Sequence, residues 1–329
     1  MTATAIHSRF LVFALTLLCH QAQSDSLLVS NKLATPKTDR HFKIAYVMKA
    51  EEAGNPYWPR VRAGAMRAAT DLGIEVVVQV PDPQSYDVAK QINLVNALAD
   101  SDIDGMVITP IDTQALAEPV EALVAKGKVV IVQDTPLNSQ QVLTQITTDN
   151  FNEGLRIGRW LSETLSGGGD VAILEGPSQS LNAVERRNGF LSGIATGRLN
   201  IVDIRPTNWG REEARRLVTD WLQAFPDLKG IMASSASMAL GAMEALRAAG
   251  RRDIIIAGID APPVVLEAIT AGDIHAAVDQ QPEQQSHRAV QLLLEHLQTG
   301  VTYPDTITWE ASPVITADNV AKFLTSSSP

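Results

Sequence analysis

The sequence has a single cysteine in 329 residues, and this residue, Cys19, lies in an apolar segment near the N-terminus. Disulfides and cysteine-ligated metal sites are therefore excluded for the rest of the chain. The six histidines show neither the HExxH pattern nor another spacing typical of metal ligands. We therefore predict no metal site and no cofactor.

Positive charge is also scarce. Lysine and arginine total 27 against 37 aspartates and glutamates, which gives a formal net charge of -10 at pH 7, and no basic cluster appears. Binding to nucleic acid needs a clustered positive surface that displaces counterions from the phosphates. Nucleic acid is therefore not an expected partner.

Long hydrophobic runs are missing except near the start. Arg9 is followed by an apolar run over residues 10–19 and then by Ala22-Gln23-Ser24, a small-residue cleavage site. A membrane span needs about 20 apolar residues, so this shorter run indicates a secretory signal peptide over residues 1–24, with a polar linker over residues 25–41. No later segment is long and apolar enough to span a bilayer, and we expect an exported protein.

Motifs for nucleotide binding and catalysis are absent. The sequence has no GxxxxGK[ST] phosphate loop, no strand-to-helix GxGxxG and no GxSxG nucleophile elbow. The run Gly167-Gly168-Gly169 precedes a predicted strand instead of opening a helix, which is typical of a helix C-cap and turn. Because no positioned nucleophile and base are visible, we predict no catalytic residue and no enzyme activity.

The chain does contain short apolar runs that alternate with amphipathic stretches of helical length, the pattern of βαβ units. Continuous apolar strands indicate parallel sheets covered on both faces. A single core rarely grows past about 250 to 300 residues, so the sequence predicts two doubly wound α/β lobes. The predicted strands cover residues 44–48, 74–80, 105–108 and 129–132 in the first lobe, and residues 171–174, 201–204, 231–233, 254–259 and 274–278 in the second.

Helix boundaries are marked most clearly in the first predicted helix. Asn55 supplies a capping side chain before Pro56, which suits a first helical turn, and Gly73 ends the same helix. The next two helical patterns begin near Ser85 and Thr113. A further amphipathic pattern runs over residues 282–297.

Aromatic and hydrogen-bonding residues follow several predicted strands, at the edge where open α/β sheets bind ligands. Aromatic faces stack on the C–H surface of a sugar ring, while carboxylates and amides form directional hydrogen bonds with hydroxyls. The set therefore suits a neutral polyhydroxyl ligand. The alternatives are lobe packing for the aromatics and helix capping for the aspartates. The residues are Asn55, Tyr57, Trp58, Asp134, Asp260 and Gln280.

Seven short motifs follow one another along the chain: Asn-Pro-Tyr-Trp at 55–58, Thr-Pro-Ile-Asp at 109–112, Thr-Asp-Asn at 148–150, Glu-Arg-Arg-Asn-Gly-Phe at 185–190, Met-Ala-Leu-Gly-Ala at 238–242, Gly-Ile-Asp at 258–260 and Asp-Gln-Gln-Pro at 279–282. Each motif is weak alone. In this order, over about residues 42–316, they resemble the ribose and galactose type of periplasmic substrate-binding protein, which delivers sugars to ATP-driven importers.

The resemblance implies the type I periplasmic binding protein fold, with hinges near Thr148, Gln280 and Glu310 where three crossovers join two lobes. The N-terminal lobe would comprise residues 42–148 and 281–309. The C-terminal lobe would comprise residues 149–280 and 310–329. The resemblance also implies a monomer in the periplasm that binds a small sugar or polyol.

The resemblance further implies that ligand is sandwiched between aromatic rings of both lobes and held by polar side chains. Tyr57 and Trp58 would stack from the first lobe and Trp209 from the second. Asn55, Asp134, Arg186, Asp260 and Gln280 would form the hydrogen bonds.

Two positions depart from the ribose-type pattern. Thr135 stands where those members carry a second arginine, and Ser235 stands where they carry an asparagine. Both residues are further candidate contacts, and the changes point away from ribose itself. Another pentose, a hexose, a polyol or a signalling molecule stays open.

The output of ligand binding also stays open. Family members present the bound state either to the permease of an ABC transporter or to a histidine kinase or chemoreceptor. A third alternative is a quaternary amine held by the aromatic residues through cation–π contacts. The nearby positive charge of Arg186 argues against that ligand.

Overall fold

The computed structural model describes residues 41–51, 54–83 and 85–324. The predicted signal peptide and all of the predicted linker except its last residue lie outside the described residues. Within the described part, no helix is both long and apolar enough to cross a membrane.

Strands and helices alternate along the chain as the βαβ pattern predicts. The first part contains β1 (Lys43–Val47), α1 (Tyr57–Leu72), β2 (Glu75–Gln79), α2 (Val88–Ala99), β3 (Gly105–Ile108), α3 (Ala117–Ala125), β4 (Val129–Asp134) and β5 (Thr144–Thr148). The middle part contains α4 (Asn150–Thr164), β6 (Gly169–Glu175), α5 (Leu181–Ile194), β7 (Leu199–Pro206), α6 (Arg211–Ala224), β8 (Leu228–Ala233), α7 (Ala236–Ala248), β9 (Ile255–Ile259), α8 (Pro263–Ala271) and β10 (Ala276–Val278). The last part contains α9 (Pro282–Thr299), β11 (Thr306–Trp309), β12 (Ile315–Thr316) and α10 (Ala321–Leu324).

These strands form two six-stranded sheets with equivalent orders. The first sheet runs β2-β1-β3-β4-β5-β11, and all of its pairs are parallel. The second runs β7-β6-β8-β9-β10-β12 and is parallel except for β12, which is antiparallel to β10. The prediction of two doubly wound parallel-sheet lobes is confirmed.

Each sheet is buried on both faces, which is why its central strands are continuously apolar. Successive side chains of a strand point to opposite faces. In β1, Ile44 and Tyr46 therefore pack with α1 and α9, whereas Ala45 and Val47 pack with α2 and α3. Fully burying an aliphatic side chain of this kind contributes about 1.5–3 kcal/mol.

The chain passes between the two sheets three times. The first crossover follows β5, the second lies between β10 and α9, and the third lies between β11 and β12. We refer to these segments as the first, second and third crossovers. Hydrogen bonds between Thr148 and Gln280 and between Asp279 and Ser312 link neighbouring crossovers.

Some boundaries differ from the prediction. β5, β11 and β12 are additional strands; β5 has the sequence Thr-Gln-Ile-Thr-Thr, which lacks a continuous apolar run. The helices predicted near Ser85 and Thr113 begin at Val88 and Ala117 instead.

The first helix departs from its predicted cap. α1 begins at Tyr57, and Asn55 does not occupy the N-cap position but accepts a hydrogen bond from the Tyr57 backbone N–H at 3.0 Å, as an Asx turn does. Gly73 ends α1 in the left-handed conformation, with φ 65°, as predicted.

Candidate functional site

One cavity lies between the two lobes, at the carboxyl edge of both sheets. We refer to it as the cleft cavity. It is lined by Lys49, Asn55, Tyr57, Trp58, Tyr86, Asp134, Asn182, Arg186, Trp209, Ser235, Asp260 and Gln280.

The structure thus brings together all eight residues that the sequence nominates as principal contacts, together with Ser235. Thr135 is buried beside the cavity and contacts two lining residues, Asp134 and Asn182, without lining it. Ser235 also accepts a hydrogen bond from the Met238 backbone N–H at 3.4 Å and caps α7. Three lining residues are additional to the prediction: Lys49, Tyr86 and Asn182.

Backbone strain concentrates at this cavity. Among the described residues, four that are not glycine have positive φ, and three of them line the cavity: Asp134 at 69°, Trp209 at 64° and Asp260 at 70°. Such conformations cost about 1–3 kcal/mol each and persist where the surroundings enforce them. Aspartate tolerates this region better than a bulky tryptophan does. The strain therefore indicates that the direction of these three side chains matters.

Asp134, at the end of β4, is held by several donors of the first lobe. Its Oδ1 accepts a hydrogen bond from the Tyr57 hydroxyl at 2.9 Å. Its Oδ2 accepts from Lys49 Nζ at 3.3 Å and from the Thr135 hydroxyl at 2.9 Å. Burial raises the pKa of this carboxyl, but attraction from Lys49 and Arg186 outweighs burial and holds the pKa below its ordinary value. Asp134 is therefore a charged, largely satisfied acceptor.

Asp260, directly after β9, has different surroundings. Gln280 Nε2 donates to its Oδ1 at 2.6 Å, and the Ala236 backbone N–H approaches its Oδ2 at 3.5 Å. Burial raises the pKa of Asp260, and attraction from Arg186 offsets only part of that effect. The long contact with Ala236 gives little support to a helix-capping role. Asp260 retains capacity to accept a further hydrogen bond.

Arg186 and Gln280 are fixed by residues of the crossovers and of the second lobe. Arg186 Nε donates to Asn150 Oδ1 at 2.8 Å, and one terminal nitrogen donates to the Ser234 carbonyl at 2.9 Å. The Thr148 hydroxyl donates to Gln280 Oε1 at 3.2 Å. These bonds point a guanidinium into the cavity from α5 and an amide from the second crossover.

The aromatic residues line the cavity and also pack in the lobes. Tyr57 and Trp58 meet edge to face, with ring centroids 5.0 Å apart, and both belong to the core of the first lobe. Trp209 packs against the core of the second lobe, and its indole lies so close to Gly176 that a Cβ there would come within 2.4 Å of it. The packing alternative and the ligand-binding prediction are therefore compatible for these three side chains.

The lobes also touch directly through a hydrogen bond between two side chains. Asn182 Nδ2, on α5, donates to Thr135 Oγ1 of the first lobe at 3.2 Å, and the same oxygen accepts from Lys49. Within the described part of the chain, Asn182 Oδ1 is buried without a hydrogen-bond partner. This arrangement leaves an acceptor of the second lobe available at the cavity.

Two of the additional residues carry a sequence signal. Lys49 comes two residues after β1, so it is also a polar residue that follows a strand, as the predicted contacts after strands are. Asn182 precedes Arg186 by one helical turn on α5, and residues four apart lie on one face of a helix. Tyr86 shows no comparable signal. It accepts a hydrogen bond from Trp58 Nε1 at 3.2 Å.

A metal centre finds no support in this arrangement. Across the described residues, no group of three or more His, Cys, Asp or Glu side chains is placed to hold a metal ion. The charged side chains of the cleft cavity are two carboxylates, one lysine and one arginine, a balanced set that suits a ligand without net charge.

The family model described as periplasmic binding protein domain matches residues 44–300, which include every residue that lines the cleft cavity. This chain belongs to the periplasmic binding protein family. The ribose import binding protein of Bacillus subtilis is 31% identical over 70% of this chain and 73% of its own length. The D-apiose import binding protein of Paraburkholderia graminis is 30% identical over 75% of this chain and 79% of its own length.

A solved structure gives the same fold. The periplasmic solute binding protein of an ABC transporter from Actinobacillus succinogenes, with bound D-allose, matches this binding protein with a TM-score of 0.80 and 26% identity. The match covers 85% of this chain and 99% of the other. Sheet order, crossovers and similarity therefore agree on the type I periplasmic binding protein fold.

Proposed function

We propose that this binding protein captures a small neutral sugar or polyol in the cleft cavity and performs no chemistry on it. The observation that supports this proposal is the lining of the cavity. Aromatic rings and hydrogen-bonding side chains from both lobes surround one space. A ligand in this space contacts both lobes at once.

The proposed mechanism is closure of the lobes around the ligand. Some ligand contacts form only when the lobes approach each other, so the ligand binds the closed state more tightly than an open state. This difference in affinity shifts the population toward the closed state. Trp58 in the first lobe and Trp209 in the second offer apolar faces to a ring, while Asp260 and Arg186 offer an acceptor and donors to its hydroxyls. The ligand would complete the contacts between the lobes.

The ligand class is proposed from chemistry and from relatives. The relatives named above bind ribose, D-apiose or D-allose according to their names. This chain has Thr135 where ribose-type members carry an arginine, and Lys49 donates hydrogen bonds to both Asp134 and Thr135. We infer that the change at position 135 alters the shape of the pocket and favours a ligand other than ribose.

We also propose the lobe boundaries, the location and the partner. The N-terminal lobe comprises residues 42–148 and 281–309, and the C-terminal lobe residues 149–280 and 310–329, since β11 joins the first sheet and β12 the second. A signal peptide over residues 1–24 directs the chain to the periplasm, where the closed monomer is presented to the permease of an ABC transporter.

Titration calorimetry tests the ligand class. Mature protein is purified under denaturing conditions, refolded to remove any carried ligand, and titrated with D-ribose, D-allose, D-apiose, D-arabinose, glycerol and myo-inositol. We expect binding of at least one of these compounds at micromolar or lower dissociation constant. A Trp209→Ala variant serves as the control, because weaker binding by this variant would indicate that the ligand binds in the cleft cavity. Absence of binding across the panel and across a wider set of saccharides would remove the sugar assignment.

A further inference from the structure

Glu153 is a buried carboxyl next to the first crossover. It lies in the first turn of α4 and is 2% exposed. Neither of its carboxyl oxygens has a hydrogen-bond partner among the residues that the structure describes. A buried polar group without partners destabilises the folded state. The position is therefore costly for a purely structural residue.

Glu153 acts on the cleft cavity through Arg186. Its Oε2 lies 3.9 Å from Arg186 Nε, and that nitrogen already donates to Asn150 Oδ1 at 2.8 Å. The contact between Glu153 and Arg186 is therefore one of charge and not a hydrogen bond. Arg186 lines the cleft cavity, whereas Glu153 lies outside its lining.

Glu153 faces a second cavity, which we refer to as the hinge cavity. This space is built from residues beside the first and third crossovers. The buried Trp309 Nε1 also lacks a hydrogen-bond partner within the described part of the chain. The lining residues are Asp149, Asn152, Glu153, Arg156, Thr308, Trp309, Glu310 and Ala311.

Charged groups of several elements surround Glu153. Burial is the main cause that raises its pKa to about 8 from the ordinary 4.5; attraction from Arg186 opposes the rise, and repulsion from Asp260 adds to it. The nearby Thr148 hydroxyl and Arg156 on α4 also favour the ionised form. The acidic residues Asp149 and Glu310 also line the hinge cavity. In this arrangement the Glu153 carboxyl stays protonated at neutral pH, whereas a solvent-exposed glutamate is ionised at that pH.

We propose that Glu153 is a positioning residue for Arg186: its carboxyl keeps a proton in the folded protein at neutral pH, and loss of that proton weakens the contact of Arg186 with a ligand. The proposal rests on the ligand-binding function proposed for the cleft cavity. A neutral Glu153 leaves the charge of Arg186 available to ligand oxygens. An ionised Glu153 draws the guanidinium toward the hinge cavity and weakens that contact.

The first test needs no ligand and compares Glu153→Gln with the wild type. The folded protein keeps a proton on Glu153 between pH 4.5 and pH 8, whereas the unfolded chain releases it near pH 4.5, so stability falls as pH rises through this window. Because one pKa unit corresponds to a tenfold change in equilibrium, the folding constant of wild type relative to Glu153→Gln should fall by about tenfold or more between pH 5 and pH 8. Urea denaturation at several pH values measures it.

The second test measures protons taken up on binding. D-allose and D-ribose are titrated at pH 5.5 and pH 8 in buffers of different ionisation enthalpy. For the wild type we expect proton uptake and weaker binding at pH 8 but no uptake at pH 5.5, where Glu153 already carries its proton; for Glu153→Gln we expect no uptake at either pH and no such loss of affinity. Glu163→Gln, an exposed position on the same helix, should behave as the wild type does.

The outcomes separate this inference from the proposed function. Equal pH dependence of unfolding in wild type and Glu153→Gln would overturn the inference, whether or not a sugar binds. Sugar binding without proton uptake in the wild type at pH 8 would also overturn it. If neither sugar binds while the unfolding slopes differ as expected, the proton on Glu153 stands and the ligand class is at fault.

Discussion

The two lobes place an aspartate at the same point of the same topology. Counted from β2 and from β7, β4 and β9 are each the fourth strand of their sheet. Asp134 ends β4 and Asp260 follows β9, with φ of 69° and 70°. The surroundings differ, since Asp134 contacts the cation of Lys49 and Asp260 contacts the neutral amide of Gln280. The backbone is repeated between the lobes, but the electrostatic environment is not.

This difference shows what sets the charge state of a buried carboxyl. Burial raises the pKa of both aspartates, and only Asp134 has enough positive charge nearby to reverse that effect. Asp134 is therefore satisfied before ligand arrives, whereas Asp260 has more to gain from a ligand hydroxyl. We expect the first lobe to hold a preformed ionic cluster and the second to supply the acceptor that responds to ligand.

The largest effect is expected for Asp134→Ala. This change leaves the Lys49 ammonium, whose side chain is 11% exposed, without its carboxylate, and losing one partner of a buried pair costs about 3–5 kcal/mol. Asp260→Ala removes no ion pair and should cost less. The free energy of unfolding in urea measures both. The proposed electrostatic difference between the lobes is wrong if the two variants lose equal stability. It is also wrong if adding Lys49→Met to Asp134→Ala restores none of the lost stability.

A smaller effect, on affinity, is expected for Trp209→Ala. Removing the ring that the second lobe offers to a ligand should raise the dissociation constant for a bound sugar about a hundredfold, or about 2.7 kcal/mol. Stability should fall modestly as well, because the indole packs on the core of the second lobe. Trp209→Gly provides the matched control, since glycine accepts the positive φ without strain. Unchanged affinity in both variants would place the ligand elsewhere.

The pH dependence of stability should have opposite signs for the two aspartates. Asp134, with a lowered pKa, contributes stability above its unfolded value of 3.8 that is lost as pH falls through its folded pKa. Asp260, with a raised pKa, contributes stability below 3.8 that is lost as pH rises toward its folded pKa. Each pKa unit is worth about 1.4 kcal/mol.

Unfolding of the wild type, Asp134→Asn and Asp260→Asn between pH 3 and pH 6 checks these signs. Relative to Asp134→Asn, the wild type should lose stability as pH falls. Relative to Asp260→Asn, it should lose stability as pH rises. Slopes of the same sign would contradict the electrostatic difference between the lobes.

The smallest effect is expected for Asn182→Ala. The variant loses the hydrogen bond from Asn182 to Thr135 across the cleft, and one such bond contributes about 0.5–1.5 kcal/mol. Without ligand, the average separation of the lobes should increase slightly, which small-angle X-ray scattering detects as a larger radius of gyration. Asn188→Ala, exposed on the same helix, should leave the radius unchanged. If the radius of gyration changes in neither variant, the hydrogen bond between Asn182 and Thr135 does not help to hold the lobes together.

Much of the fold follows from local pattern. Strands such as β3 are continuous apolar runs because both faces of the sheet are covered, and such runs are visible in sequence. β5 has no continuous apolar run. Its threonines and glutamine lie in a strand because β4 and β11 pair with it on either side. Its hydrogen bonds come from residues distant in sequence, and no local pattern records them.

The candidate site divides in the same way. Asn55, Tyr57 and Trp58 lie in one motif after one strand, and the structure places them together with Asp134, Arg186, Trp209, Asp260 and Gln280 around one cavity. The sequence alone determined the two-lobed α/β class and the side chains that meet at the strand ends. The tertiary structure decided their charge states and partners: that Lys49 pairs with Asp134, that Asn182 reaches Thr135, and that Glu153 lies behind Arg186. The reason is physical, because hydrophobic periodicity acts over a few residues, whereas a pKa or an ion pair depends on distances and burial among groups far apart in the chain.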